Sequence, residues 1–286
     1  EFRRVLFRSP PAPAAMVAGC GAGGAMSIED NPFQAPVARL QDHGELVVGD
    51  FRPEGRLVPL SHGYRWLQRG WAMFRTAPGT WIGIALACMA VLLILGSIPL
   101  LNVAVNLLAP VFIGGLSIGC RAIEEGDGVR FAHLFAGFSR RPGTLLMVGL
   151  LYLLGLLLMA IIIGVAAALT GAVALGTAAG GGEEAAVWTF LLSVGVMILV
   201  FTPLAMAVWL APPLVVLHDF SASQAIWASL RVALRNFPPF MVYGVLVLLL
   251  AACASLPLLL GWLLLLPVIY ASLYAAYRDI FFSERS

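Results

Sequence analysis

From residue 65 onward, the arginines fall in alternate breaks between long apolar runs. Breaks holding Arg65, Arg69 and Arg75, then Arg121, Arg130, Arg140 and Arg141, then Arg231 and Arg235, then Arg278 and Arg285 alternate with breaks that carry no basic residue. Chains that cross a bilayer keep arginine on the cytoplasmic side of their helices. The alternation therefore predicts a polytopic membrane protein with both termini in the cytoplasm.

Composition points the same way. At 60% hydrophobic and 11% charged residues, there is too little polar surface to cover a water-soluble globule. The net charge of +2 comes with arginines dispersed at the ends of apolar runs, a pattern that predicts no nucleic-acid partner. All 17 basic residues are arginine, which reads as codon usage. The cysteines Cys20, Cys88, Cys120 and Cys253 form no CxxC pair, and those in apolar runs behave as small hydrophobes.

Residues 1–25 open with EFRRVLFRS, which looks like translated cloning sequence, and continue as low-complexity PPAPAAMVAGCGAGGA. They are read as a non-native or low-complexity leader, with a natural start at Met26. Residues 26–60 are rich in Pro, Gly and acidic residues and are expected to form a disordered cytoplasmic tail. Residues 61–286 make the membrane domain.

Crossing a hydrocarbon core of roughly 30 Å takes about 20 apolar residues in a helix. On that measure Trp81–Ile98 pairs with Asn102–Cys120, Leu145–Leu169 with Val187–Leu217, and Phe240–Leu256 with Leu258–Ala276. The expected fold class is an all-α membrane bundle: six transmembrane helices in three hairpins. The fourth span is long and carries Pro203, Pro212 and Pro213, which predict kinks.

An internal repeat accompanies the hairpins. WAMFRTAPGTWIG (71–83), FAGFSRRPGTLLMVG (135–149) and VALRNFPPFMVYG (232–244) share an amphipathic stretch, an arginine, a proline and then a span. The preceding apolar stripes are Tyr64, Leu67, Trp71, Phe74; Phe131, Leu134, Phe135, Phe138; and Ile226, Leu230, Ala233, Phe237. Their helical spacing, with arginine opposite, predicts helices lying in the interface on the cytoplasmic face. Arg65, Arg69, Arg231 and Arg235 are the candidate contacts to lipid headgroups, and membrane lipids are the expected partners.

The segments GWAMFRTAPGTWIG, GCRAIEEGDGVRFAHLFAGF, WLAPPLVVLHD and SLYAAYRDIF resemble an uncharacterised family of proteobacterial six-span inner-membrane proteins. More distantly, the layout is similar to the membrane domain attached to some glycerophosphodiester phosphodiesterases, without their catalytic domain. The resemblance implies a multi-pass protein of the bacterial inner membrane and implies no reaction.

Intramembrane charge marks proton relays and ion paths, and the spans between their interfacial ends contain no Asp, Glu, Arg or His. Glu124 and Glu125 are adjacent and diverge on a helix, Asp127 is placed to cap the next helix, and His218–Asp219 lacks a nucleophile. None of these sets suggests catalysis, a metal or a cofactor. Gly115 with Gly119 and Ala271 with Ala275 have the small-xxx-small spacing of close helix packing. That packing fits either one protomer or a homo-oligomer seam. Tyr270, Tyr274 and Tyr277 descend one face of the last span.

The function expected from sequence is a non-enzymatic membrane protein of structural or regulatory type, contacting anionic lipids or a membrane-protein partner. The alternative is a small-molecule or lipid transporter with a cavity near the kinked fourth span. A polar cavity between spans two, four and six favours ligand transport; a solidly packed bundle favours the structural role.

Overall fold

A computed structural model describes residues 50–97, 99–177, 183–256 and 260–283. The leader, and the tail up to residue 49, lie outside the described residues. Among those described the chain is helical: α1 (His62–Thr76), α2 (Pro78–Gly96), α3 (Pro99–Glu124), a 3-10 turn (Phe131–Phe135), α4 (Ala136–Ser139), α5 (Pro142–Thr177), α6 (Glu183–Trp209), α7 (Ala211–His218), α8 (Ala222–Arg235), α9 (Phe237–Ser255) and α10 (Trp262–Phe281).

Five stretches are long and apolar enough to cross a membrane: Val103–Glu124, Pro142–Val165, Phe190–His218, Phe237–Ser255 and Trp262–Phe281. The pair His62–Thr76 and Pro78–Ile94, bent by 104°, raises the count to six if taken as one span. Prolines open α2, α7 and α9 in the first turn, where the missing N–H leaves no bond unmade.

The three segments with the repeated amphipathic pattern are all helical, but their buried faces differ from the stripes read in the sequence. In α1, Leu67 and Phe74 are buried as expected, whereas Tyr64 and Trp71 are exposed. The face that packs on α10 and α9 is centred instead on Gly63, Trp66 and Gly70. A Cβ on Gly70 would stand 2.7 Å from the Val268 carbonyl oxygen and 2.8 Å from Ser272, so only glycine permits this approach. In α8 the buried face is made of Ala222, Ala225, Ser229, Val232 and Ala233, while Trp227 and Leu234, and Phe237 at the start of α9, are exposed. Small residues win the inward face because they bring two helix backbones closest. The middle segment is the 3-10 turn followed by the single turn α4, with Leu134 buried and Phe131, Phe135 and Phe138 exposed. Its cap is not Asp127. The His133 Nδ1 accepts the Arg130 backbone N–H at 3.0 Å, as a neutral imidazole must. Burial, followed by the charge of Arg130, holds that imidazole below its ordinary pKa.

The break within the stretch Phe190–His218 has a specific cause. Pro203 sits inside α6, which continues past it; the helix breaks at Leu210, and Pro212 and Pro213 fall in the first turns of α7. At the break, the buried Ser229 hydroxyl of α8 accepts from the Leu210 N–H at 3.2 Å and donates to the Met206 carbonyl at 2.7 Å. Those two groups are the i and i+4 partners of an unbroken helix, so a side chain has been inserted into the ladder. Ser229→Val should therefore strand two buried backbone groups and lower stability by roughly 2 kcal/mol. Thermal unfolding in detergent measures this, and an unchanged midpoint would mean the bend does not depend on Ser229.

Residues 50–60, which composition assigns to a disordered tail, form an extended strap across the end of α10. The Arg52 N–H donates to the Phe281 carbonyl and the Arg56 N–H to the Ile280 carbonyl, each at 2.8 Å. Asn236, buried at the α8–α9 junction, accepts the Val58 N–H at 2.9 Å and donates to the Arg56 carbonyl at 3.0 Å. A Pro- and Gly-rich stretch is ordered here because its backbone groups find partners on elements far along the chain.

Candidate functional site

Two polar clusters sit at the arginine-bearing end of the bundle, both built on the last two turns of α10. The first surrounds Asp279, whose side chain is 1% exposed. Its Oδ1 accepts from Arg56 at 2.6 Å, and its Oδ2 accepts from His62 Nδ1 at 2.7 Å and from Trp66 Nε1 at 2.8 Å. The Arg56 Nε also donates to the Asp279 carbonyl oxygen at 2.6 Å. Because His62 donates through Nδ1, its Nε2 accepts, and Arg65 donates to it at 3.2 Å. One carboxylate thus fastens the strap, α1 and the C-terminal helix together. A buried carboxylate is tolerated when its oxygens are filled by donors and one partner is cationic. Sequence reasoning missed it, since an acid at the end of a last span resembles a solvated helix terminus.

The second cluster lines a cavity of about 220 Å³ between α3, α7 and α10. Its walls are Arg121 and Glu124 of α3 with Glu125 just past its end, Leu217 and His218 of α7, and Tyr274, Tyr277 and Arg278 of α10, with Phe282 beyond. Glu124 Oε2 accepts from the Tyr274 hydroxyl at 2.9 Å and pairs with Arg278 Nε at 3.0 Å. The adjacent Glu125 pairs through Oε1 with Arg121 Nε, four residues before it, at 2.7 Å. His218 Nε2 is hydrogen-bonded to the Tyr277 hydroxyl, and Phe51 of the strap stacks on the His218 ring at 3.5 Å between centroids. The Arg278 guanidinium lies 4.0 Å above the Phe282 ring, a cation–π geometry. The side chains of Arg121 and Glu125 are about half exposed, at 53% and 45%, so the cavity opens at the end of the bundle.

Sequence positions that read separately as weak signals therefore meet. Arg121 with the adjacent carboxylates, His218, and two of the three tyrosines down the last span line one space. His218 and Asp219 diverge: Asp219 adopts a left-handed backbone conformation at φ 57° and its carboxylate faces Arg141 at 3.3 Å. Tyr270 belongs instead to an apolar cleft of about 90 Å³ between α2, α3, the 3-10 turn and α10, lined by Cys88, Leu92, Phe112 and Phe135 among others.

The remaining sequence candidates lie as follows. Arg65, Arg69, Arg231 and Arg235 are exposed on α1 and α8, and Arg231 stands 5.6 Å from the Trp227 ring centre. Gly115 and Gly119 face the 3-10 turn of the same chain: a Cβ on Gly115 would meet the His133 carbonyl oxygen at 2.5 Å, and one on Gly119 would meet His133 Cβ at 3.1 Å. Ala271 and Ala275 are buried in α10. Pro203, Pro212 and Pro213 belong to the bend that delivers α7, with Leu217 and His218, to the cavity wall.

With five or six helices fit to cross a bilayer, the chain is an integral membrane protein. It is similar to a probable inner membrane protein of Burkholderia thailandensis, with 28% identity over 253 residues covering 78% of this chain and 92% of that one. No protein-family model matches the chain, and no solved structure matches it.

Proposed function

We propose that this chain is a non-enzymatic, six-span protein of the bacterial inner membrane that binds a small polar or amphiphilic ligand at its cytoplasmic face. The spans form three hairpins with both termini in the cytoplasm, and α1 and α8 lie along the inner interface. The observation that carries this reading is the cavity between α3, α7 and α10, lined by two arginines, two glutamates, a histidine and two tyrosines. Side chains of this kind at the mouth of an apolar bundle are expensive to gather, and a ligand that they recognise accounts for the gathering. The likeness to a probable inner membrane protein over 92% of its length supports the location. Exposed Arg65, Arg69, Arg231 and Arg235 add contact with anionic headgroups, worth roughly 1 kcal/mol per arginine at a charged surface.

Transport is a second reading favoured by the same cavity, because it lies between the second, fourth and sixth spans beside a bent helix. The insertion of Ser229 at the bend supports a fixed wall over a moving hinge, and so supports the binding reading.

Two measurements test the proposal. Reporter fusions after Glu184 and after Ser286 should signal outside and inside respectively; an inside signal after Glu184 removes the six-span topology. Native mass spectrometry of the protein extracted from its own membrane should show a retained ligand that Leu217→Trp, which fills the cavity, displaces. Surface lipids held by the α1 and α8 arginines should persist in that variant. An identical set of retained masses in both proteins would sink the ligand-binding reading.

A further inference from the structure

The cavity has two open valences of opposite sign, both on α3. Among the described residues, both contacts of Glu124 fall on Oε2, through Tyr274 and Arg278. Its Oε1 is thereby left as an acceptor. Arg121 pairs with Glu125 through Nε alone, which leaves the forked Nη end of a half-exposed guanidinium as a donor. Residues three apart on a helix are neighbours, with Cβ atoms about 5–6 Å apart. A cation site and an anion site therefore stand side by side.

The lining as a whole is neutral, two arginines balancing two glutamates. A neutral but polar site discriminates against a simple anion: a phosphate entering alone meets two carboxylates as well as two guanidiniums. It also discriminates against a simple cation. A molecule carrying both charges a short distance apart satisfies both open valences and leaves no charge buried and unpaired. The walls refine the choice. Guanidinium prefers the oxygens of phosphate or carboxylate in a forked geometry, and Tyr274 and Tyr277 supply aromatic surface on which an ammonium rests favourably. At about 220 Å³ the cavity has the volume of roughly seven liquid waters, room for a small headgroup, and it lies where three candidate spans end.

We propose that this cavity is a binding site for a phosphate–ammonium zwitterion of the ethanolamine phosphate type, with Arg121 taking the phosphate and Glu124 Oε1 taking the ammonium. The proposal rests on the ligand-binding reading above and names its ligand class. The same chemistry has two sources, the headgroup of phosphatidylethanolamine and free phosphoethanolamine.

The test uses the full chain, purified, delipidated in detergent and placed in nanodiscs of equimolar phosphatidylethanolamine, phosphatidylglycerol and phosphatidylcholine. Lipid retention is read by native mass spectrometry, with soluble phosphoethanolamine as competitor. Phosphatidylethanolamine should be retained about tenfold over the other two, the factor expected for one charge-assisted hydrogen bond. Phosphatidylcholine is the decisive comparison, since its quaternary ammonium has no N–H to give Glu124. Glu124→Gln should abolish the preference for ethanolamine over choline, while Tyr274 can still donate to the amide oxygen. Arg121→Gln should weaken retention of all three lipids. Its side chain is half exposed, so this variant reads the site without endangering the fold.

If free phosphoethanolamine binds in a Glu124-dependent way while no lipid is retained, the zwitterion chemistry stands and its source is soluble. Equal retention of the three lipids, unaltered by Glu124→Gln and with no phosphoethanolamine binding, overturns the inference. If Leu217→Trp still displaces some other ligand, only the ligand class has failed; if it displaces nothing, the binding site has failed too.

Discussion

Asp279→Ala is expected to be the most damaging single substitution at the arginine-bearing end, lowering stability by roughly 3–5 kcal/mol. The change removes an acceptor that serves Arg56, His62 and Trp66 at once and leaves the Trp66 indole N–H buried without a partner. Asp279→Asn should cost less, because an amide oxygen still accepts from Trp66 or His62 while the pairing with Arg56 loses its charge. Thermal unfolding in detergent reads the loss, and tryptic cleavage after Arg56 reads release of the strap. Equal midpoints and equal cleavage for wild type and Asp279→Ala would show that the carboxylate does not fasten these elements.

The second large effect is expected at Gly115. Everything a Cβ there would meet closely is backbone: the His133 oxygen at 2.5 Å, with the Gly137 nitrogen and Leu134 oxygen at 3.0 Å. Backbone cannot rotate aside as a flexible side chain can, so Gly115→Leu must push the 3-10 turn off α3. That should cost about 3 kcal/mol, the upper part of the usual range for overpacking. Gly164→Leu is the control, since a Cβ there meets nothing within 4 Å, and this change should be neutral or slightly stabilising through helix propensity. Unfolding midpoints for the two variants that fall together would show that α3 and the turn are not in close contact.

The all-helical class and the apolar stretches fit to cross a membrane were legible because both follow from local rules. Apolar length reports a span, and proline reports a first turn. The inward faces of α1 and α8 were not legible, because large apolar residues score highest in a periodicity count while close helix approach selects glycine, alanine and serine. Trp66 and Gly70 are buried where the stripe named Tyr64 and Trp71. The cavity was half legible. Glu124, His218 and Tyr274 each stood out, but 94 residues separate the first from the second and 56 the second from the third. Nothing local states that three helices end beside one another. The Asp279 cluster was invisible for the same reason, since its donors lie more than 200 positions upstream.

That separation has a consequence for how the protein is made. Helix α1 is synthesised before α9 and α10, yet the partners of its buried face lie in those two helices, and the acceptor for Trp66 comes 213 positions later. Until α9 and α10 have been made, Trp66, Leu67 and Phe74 lack the surface on which they dock. A nascent polypeptide that lacks α9 and α10 must therefore hold an unsatisfied apolar ridge on α1. Truncation before Asp279 should register as a failure at α1, with that helix undocked and open to proteolysis while the helices between remain inserted. The Asp279 carboxylate acts in that sense as a checkpoint: α1 settles only once α10 is in place.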